Sequence, residues 1–187
     1  MTVVTETALA GVKLIASERH GDGRGHLAET WHRARFAEAG IAAEFVQENL
    51  VYSAKRGTVR GLHFQLAPEA QGKLVAVVAG AVFDVVLDLR RDSPTYGHHY
   101  AVELGAGNGL QLWAPPGLAH GYCTLEDGTS VLYKMTRYYA PGLAGGILWS
   151  DPALAIPWPV TPVEAVLSDK DRAWPDFAAW EQRQQTP

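Results

Sequence analysis

Arg60-Gly61-Leu62-His63-Phe64-Gln65, followed by Lys73, sets an arginine, a histidine, a glutamine and a lysine in a run that otherwise has the pattern of a buried β-hairpin. Polar groups inside an apolar sheet cost free energy unless they are hydrogen-bonded. Several in one short segment therefore mean either a site or a set of satisfied strand ends. Strict strand alternation puts Arg60 and His63 on opposite faces. If both serve one site, Gly61 marks a bulge or a strong local twist.

The same texture extends on both sides. Residues 44–52, 58–66, 73–79, 81–89, 99–104, 109–113, 121–125 and 129–138 read as short strands separated by Gly, Pro, Asn and Asp. Such spacing predicts a mainly β sandwich or barrel. Gly80 reads as the turn of a hairpin joining 73–79 to 81–89, and Asp127-Gly128 is a further hairpin signal. Upstream, residues 11–30 read as two extended pieces around the turn Gly21-Asp22-Gly23-Arg24-Gly25. That turn lacks the Lys-Ser/Thr pair of a Walker loop, although Arg24 could still reach a phosphate. Trp31 to Gly40 has helical spacing, with Thr30 to cap it and Gly40 to end it. Beyond Tyr139 the chain is rich in Pro and Gly, with one short helix expected over Pro175–Gln184. The tryptophans there, Trp149, Trp158 and Trp174, are expected to pack on the barrel. There is no repeat, so residues 1–187 read as a single domain with a loop-rich tail.

Composition narrows the function classes. The 187 residues are 47% hydrophobic and 19% charged, an ordinary globular balance. Lys+Arg number 16 against 20 Asp+Glu, and no basic block stands out, which argues against a nucleic-acid partner. The most apolar run, Leu74 to Phe83, is about half of what a bilayer crossing needs. The first eleven residues lack the basic start and apolar run of a secretory leader. A lone cysteine, Cys123, excludes an internal disulfide framework and lies in an apolar strand pattern. The expectation is a cytoplasmic protein with no membrane partner.

Two segments have the spacing of the two cupin motifs: Gly57 through His63 to Gly80, and Pro116-Gly117-Leu118-Ala119-His120. A metal-binding cupin carries His-x-His and a Glu in the first motif, but here Gln65 takes the second histidine's place. His63, Glu69 and His120 alone make a poor ligand set, and glutamine is a weak ligand for such metals, so no metal is expected. Without one, a histidine in a barrel mouth can act as a general base. It then needs a carboxylate to orient it, a cation for developing negative charge and an acid on the opposite face. Asp84, Asp169 and Asp171, the cations Lys73, Arg60 and Arg24, and several tyrosines are available. Spacing does not pair them.

The motifs Phe45-Val46-Gln47-Glu48-Asn49, Arg60 to Gln65, Ala70-Gln71-Gly72-Lys73-Leu74-Val75, Val82-Phe83-Asp84-Val85 with Asp88-Leu89-Arg90, Ser93-Pro94-Thr95-Tyr96-Gly97, Ala119-His120-Gly121, Leu132-Tyr133-Lys134 and Leu167-Ser168-Asp169-Lys170-Asp171 occur in this order. Together they resemble the dTDP-4-dehydrorhamnose 3,5-epimerase family over residues 11–176. The resemblance implies a cupin-type jelly roll, a homodimer, no cofactor and no metal. It implies a dTDP-linked 4-keto-6-deoxy sugar as substrate, inverted at C3, C5 or both. By position it makes His63 the base, Asp171 its orienting carboxylate, Lys73 the group that stabilises the enolate and Tyr133 the acid. It implies that Arg24 and Arg60 hold the diphosphate and that Glu29, Gln47 and Asn49 bind nucleotide or sugar. Tyr139 would pack on the base, and His120 with Asp84 would support the pocket. His26 stands where the family carries an aromatic.

Overall fold

The computed structural model describes residues 2–184. Its strands are β1 (Val3–Glu6), β2 (Lys13–Ala16), β3 (Arg19–Asp22), β4 (Gly25–Ala28), β5 (Gln47–Ser53), β6 (Val59–Gln65), β7 (Lys73–Ala79), β8 (Ala81–Asp88), β9 (His99–Gly105), β10 (Leu110–Ala114), β11 (Leu118–Thr124), β12 (Thr129–Met135) and β13 (Ala144–Gly146). Its helices are α1 (Arg33–Glu38), α2 (Asp169–Arg172) and α3 (Phe177–Arg183). A six-stranded sheet runs β1-β2-β10-β7-β12-β5, and a five-stranded sheet runs β13-β6-β11-β8-β9. β3 and β4 form a separate two-stranded hairpin. Val75, Val77, Leu112 and Val131 of the first sheet interleave with Val82, Val86, Leu104 and Tyr122 of the second in one core. This is the jelly-roll sandwich expected from the sequence.

Two expected hairpins are crossovers instead. β7 and β8 flank Gly80 but belong to different sheets, as do β11 and β12 around Asp127-Gly128. Turn residues specify a chain reversal; they do not say whether the two strands stay in one sheet. In a sandwich, stepping to the opposite sheet lets each strand bury its apolar face against the one just left.

The continuous apolar run of β8 has a related cause. Val82 and Val86 face the central core, whereas Val85 and Leu87 face Ile147, Leu154 and Trp180 of the C-terminal segment. Both faces are covered, so polar alternation disappears. Trp149 and Trp158 pack beside Val59 and Cys123 on the same side, as expected. Burial also pushes the Cys123 thiol up to about 11, which leaves it unreactive at neutral pH. Asp88 accepts hydrogen bonds from Arg90, Ser93 and Thr95 and so ties down the β8–β9 connection, which gives that motif a structural use.

The first helix is shorter than expected. It begins at Arg33 with His32 as its cap, because the Thr30 carbonyl is engaged by Gln111 Nε2 at 3.0 Å and Trp31 packs on Phe45. α1 lays Phe36 against Leu74 and Trp113 and so covers part of the outer face of the six-stranded sheet. The last helix starts at Phe177 rather than Pro175, capped by Asp176. α2, β1 and β13 had no expected counterpart. Among the described residues, no helix is long and apolar enough to cross a membrane.

The bulge that the sequence required is present. His63 pairs with His120 and Arg60 with Tyr122, so three steps on β6 oppose two on β11. Gly61 has φ of 145°, and a Cβ there would lie 2.5 Å from the Gly121 Cα. A Cβ on Gly121 would lie 2.8 Å from the Arg60 carbonyl oxygen. Gly121→Ala is expected to lower the unfolding free energy by about 1–3 kcal/mol, the usual cost of overpacking, as read from the urea midpoint. Gly107, with open space around it, is the comparison: Gly107→Ala should leave the midpoint unchanged or slightly raised.

Candidate active site

The inner faces of the two sheets are apolar at one end and polar at the other. On β7 the inward residues run Lys73, Val75, Val77; on β12 they run Val131, Tyr133, Met135. The polar end opens into a cavity of about 440 Å³, a size suited to a small-molecule ligand. Gln47, Asn49, Lys73 and Tyr133 reach it from the six-stranded sheet, and Arg60 and His63 from the five-stranded sheet. Asp171 and Trp174 close one side, and Tyr139 stands at the rim.

His63 Nε2 lies 2.5 Å from Asp171 Oδ1. A neutral ring so held carries its proton on Nε2 and leaves the Nδ1 lone pair free to accept one. Asp171 is itself fixed three ways. Ser168 caps α2: its hydroxyl donates to Asp171 Oδ2 at 2.9 Å and accepts from the Asp171 amide at 3.1 Å. The indole N–H of Trp174 donates to Asp171 Oδ1 at 3.3 Å. Burial alone would raise the Asp171 carboxyl, but the hydrogen bonds from His63, Ser168 and Trp174 outweigh it and hold the group below its ordinary range. Trp174 also meets the His63 ring edge-on at 6.3 Å. It rests over Gly146, where a Cβ would fall 2.3 Å from the indole.

Lys73 is 9% exposed, and its ammonium donates to the His63 carbonyl at 3.3 Å. Burial pushes it down to about 8, against the opposing pull of Asp84. A smaller chamber of about 140 Å³ adjoins the cavity and shares Arg60, His63, Lys73 and Tyr133 with it. His120 lines that chamber and is held by Asp84, Nε2 to Oδ2, at 2.8 Å.

Two expected site residues stand elsewhere in this chain. Arg24 sits at the tip of the β3–β4 hairpin, 91% exposed along its side chain, and pairs with Asp22 at 2.6 Å. Glu29 pairs with Arg35 at 2.8 Å. Neither lines the cavity, because the β3–β4 hairpin belongs to neither large sheet. Gln65 is committed to backbone: its amide nitrogen donates to the Glu69 and Tyr138 carbonyls, and its oxygen accepts from the Ala140 amide. Among the described residues, no three His, Cys, Asp or Glu side chains converge as a metal site would need. Gln47 is partly structural, since its oxygen accepts from the Tyr139 amide while its nitrogen donates to Asn49.

Ser168 and Trp174 were missed by reasoning from the sequence, which had Trp174 packing on the barrel. The Ser168-x-x-Asp171 spacing is a readable helix-start signal. Trp174 lies just past the end of α2, three residues after Asp171, close enough for its indole to turn back onto the carboxylate.

A sequence profile of the dTDP-4-dehydrorhamnose 3,5-epimerase family matches residues 6–179. A curated dTDP-4-dehydrorhamnose 3,5-epimerase from Sinorhizobium fredii is 47% identical over 91% of this chain and 87% of its own. A crystal structure of dTDP-4-dehydrorhamnose 3,5-epimerase from Bacillus anthracis with TDP and PPi bound superposes with a TM-score of 0.92 at 46% identity, covering 95% of this chain and 100% of that one. A dTDP-6-deoxy-D-glucose-3,5-epimerase from Legionella pneumophila in complex with dTDP-4-keto-L-rhamnose gives 0.89 at 40% identity, covering 94% and 93%.

The burial of Lys73 sets a stability prediction. Below pH 8 the ammonium is charged in both states and only the fold bears its desolvation, whereas the unfolded lysine keeps its proton to about 10.5. Stability therefore rises with pH across that window. Lys73→Met should be more stable than the parent by roughly 1–3 kcal/mol at pH 7. The advantage should shrink toward pH 10.5, as followed by urea unfolding at several pH values. A variant less stable at pH 7 would contradict the assignment.

Proposed function

The chain belongs to the dTDP-4-dehydrorhamnose 3,5-epimerase family, and we propose that it inverts C3 and C5 of a dTDP-linked 4-keto-6-deoxyhexose in dTDP-rhamnose-type biosynthesis. The observation that carries this is the His63–Asp171 pair sharing one cavity with Lys73 and Tyr133. The 4-keto group acidifies the protons on the neighbouring carbons. His63 Nδ1 takes one, and Asp171 stabilises the imidazolium that results. The electron pair left on carbon moves into the carbonyl, and the Lys73 ammonium stabilises the enolate oxygen. Tyr133 then donates its phenolic proton to the other face of the same carbon. His63 and Tyr133 project from opposite sheets, as an abstraction and a return from opposite faces require. General acid–base catalysis contributes roughly 10²–10⁴-fold, and electrostatic stabilisation of the enolate is usually the larger share.

Arg60 binds the diphosphate, Gln47 and Asn49 bind sugar or nucleotide, and Tyr139 packs on the base at the rim. His120, held by Asp84, supports the cavity floor. No metal or cofactor enters this scheme. The active form is a homodimer. Leu50, Tyr52 and Val78 lie 64%, 63% and 52% exposed on the outer face of the six-stranded sheet, where α1 does not reach. An apolar patch of this kind suits a second copy. The dimer also reconciles Arg24 and Glu29 with a binding role, since a second copy is what could bring the exposed β3–β4 hairpin to a nucleotide. The chain folds as one domain and works in the cytoplasm.

Incubation with dTDP-4-keto-6-deoxyglucose in deuterated water tests the reading, with proton NMR following C3 and C5. Deuterium should enter both positions, and absence of exchange at either would reject the two-centre reaction. His63→Ala should abolish exchange while nucleotide binding persists. Tyr133→Phe should slow inversion by about 10²-fold or more yet keep measurable exchange, because abstraction survives loss of the acid. Equal loss of both would remove Tyr133 from that role.

A further inference from the structure

The small chamber beside the catalytic groups contains a group that the scheme above does not use. Tyr122 lines it and is 3% exposed, yet its hydroxyl makes no well-formed hydrogen bond: the neighbouring Ser53 hydroxyl, which already accepts from Arg60 at 3.2 Å, leaves its hydrogen-bonding capacity unfilled. Asp84 stands directly across the β8–β11 ladder from Tyr122, and its Oδ1 is likewise buried and unpartnered. The His120 ring lies 6.3 Å from that of Tyr122. Buried polar groups are almost always satisfied, by water where the protein offers nothing. The chamber measures about 140 Å³, room for several waters at roughly 30 Å³ of liquid volume each. Its polar walls meet the further need of such water for two to four partners. His63 and Tyr133 both border it, so the chamber touches the base and the acid alike.

The chemistry needs such a link. One inversion leaves His63 protonated and Tyr133 as phenolate. A second inversion on the same bound sugar requires both groups to be reset while the sugar stays in the outer cavity. We propose that the chamber holds an ordered water chain, anchored on the Tyr122 hydroxyl, that returns a proton from His63 to Tyr133 between the two inversions. The Nδ1–H bond of the imidazolium breaks while Nε2 keeps its proton against Asp171, each water passes one proton on, and an O–H bond forms on the Tyr133 phenolate. Charge and atoms balance with no other reactant. Tyr122 is a positioning residue here: burial pushes its phenol up to about 12, so it stays protonated and can both donate and accept. The proposal rests on the roles given to His63 and Tyr133 above.

Two measurements test it. A high-resolution crystal structure of the wild-type protein with dTDP bound should show ordered water within hydrogen-bond distance of Tyr122 Oη, continuing toward Tyr133. A dry chamber overturns the proposal. Tyr122→Phe keeps the ring in the core and removes only the hydroxyl. In single turnovers it should slow the second inversion at least tenfold relative to the first, so that singly inverted sugar accumulates. An unchanged ratio, or uniform slowing of both inversions, overturns the relay and leaves Tyr122 a packing residue. Inversion of one centre only by the wild-type protein is a separate failure. It rejects the two-centre reaction, and the need for a return path with it.

Discussion

The hydrogen bond between His63 and Asp171 joins residues 108 apart, and much of the molecule serves to make it. It needs His63 turned into the cavity, which needs the β6 bulge, which needs two glycines in contact at Gly61 and Gly121. It needs Asp171 held still, which Ser168 achieves by capping a helix of one turn. It needs Trp174 lying flat, which the absent Cβ of Gly146 permits. A carboxylate with this many donors stays ionised, and an ionised partner fixes the orientation and tautomer of the imidazole it accepts from. The C-terminal segment is therefore both a cover for the outer face of β8 and the source of half the pair.

Polar residues inside a sandwich would ordinarily cost stability. Here they are confined to one end of the inner surface and arranged in pairs. Lys73, His120, Asp84 and Asp171 are all under a tenth exposed. Asp84 holds His120 directly and draws Lys73 toward its charged form. The same two-residue alternation that sends Val75, Val77 and Val131 into the core sends Lys73 and Tyr133 into the cavity. Core and site are thus one surface whose chemistry changes along its length. Lys73 shows the tension: the desolvation that costs stability also keeps its ammonium in a low-dielectric setting, where it acts most strongly on a nearby anion.

The strands were legible in the sequence because a period of two in short runs between Gly, Pro and Asp has few other meanings. The sheet assignment was not. Gly80 and Asp127-Gly128 look like hairpin turns because the local backbone requirement is the same whether the chain returns to its own sheet or crosses to the other. Thr30 looked like a cap because the competing bond from Gln111, 81 residues away, is invisible locally. The conflict between Arg60 and His63 under strict alternation was readable and pointed to the bulge at Gly61. The partnership of His63 with Asp171 came from family resemblance alone, since no spacing rule pairs a strand with a helix turn that far along the chain. Trp174 was visible only as an aromatic in a loop-rich tail.

Inversion of a carbon next to a ketone asks for two groups on opposite sides of a flat enolate and a cation in its plane. A sandwich suits that demand by construction. Its sheets lie about 10 Å apart, which leaves room for one sugar ring between a side chain from each. Strand register then decides which inward residues reach the cavity, and these include His63 on one side and Lys73 and Tyr133 on the other. Because the acid and base arise from separate rigid layers, their separation is fixed by the core and not by a loop. The substrate must turn within the cavity to present a second carbon. On this view, which carbons invert depends on the walls that guide that turn, Gln47, Asn49 and Arg60 among them, more than on the groups that move protons.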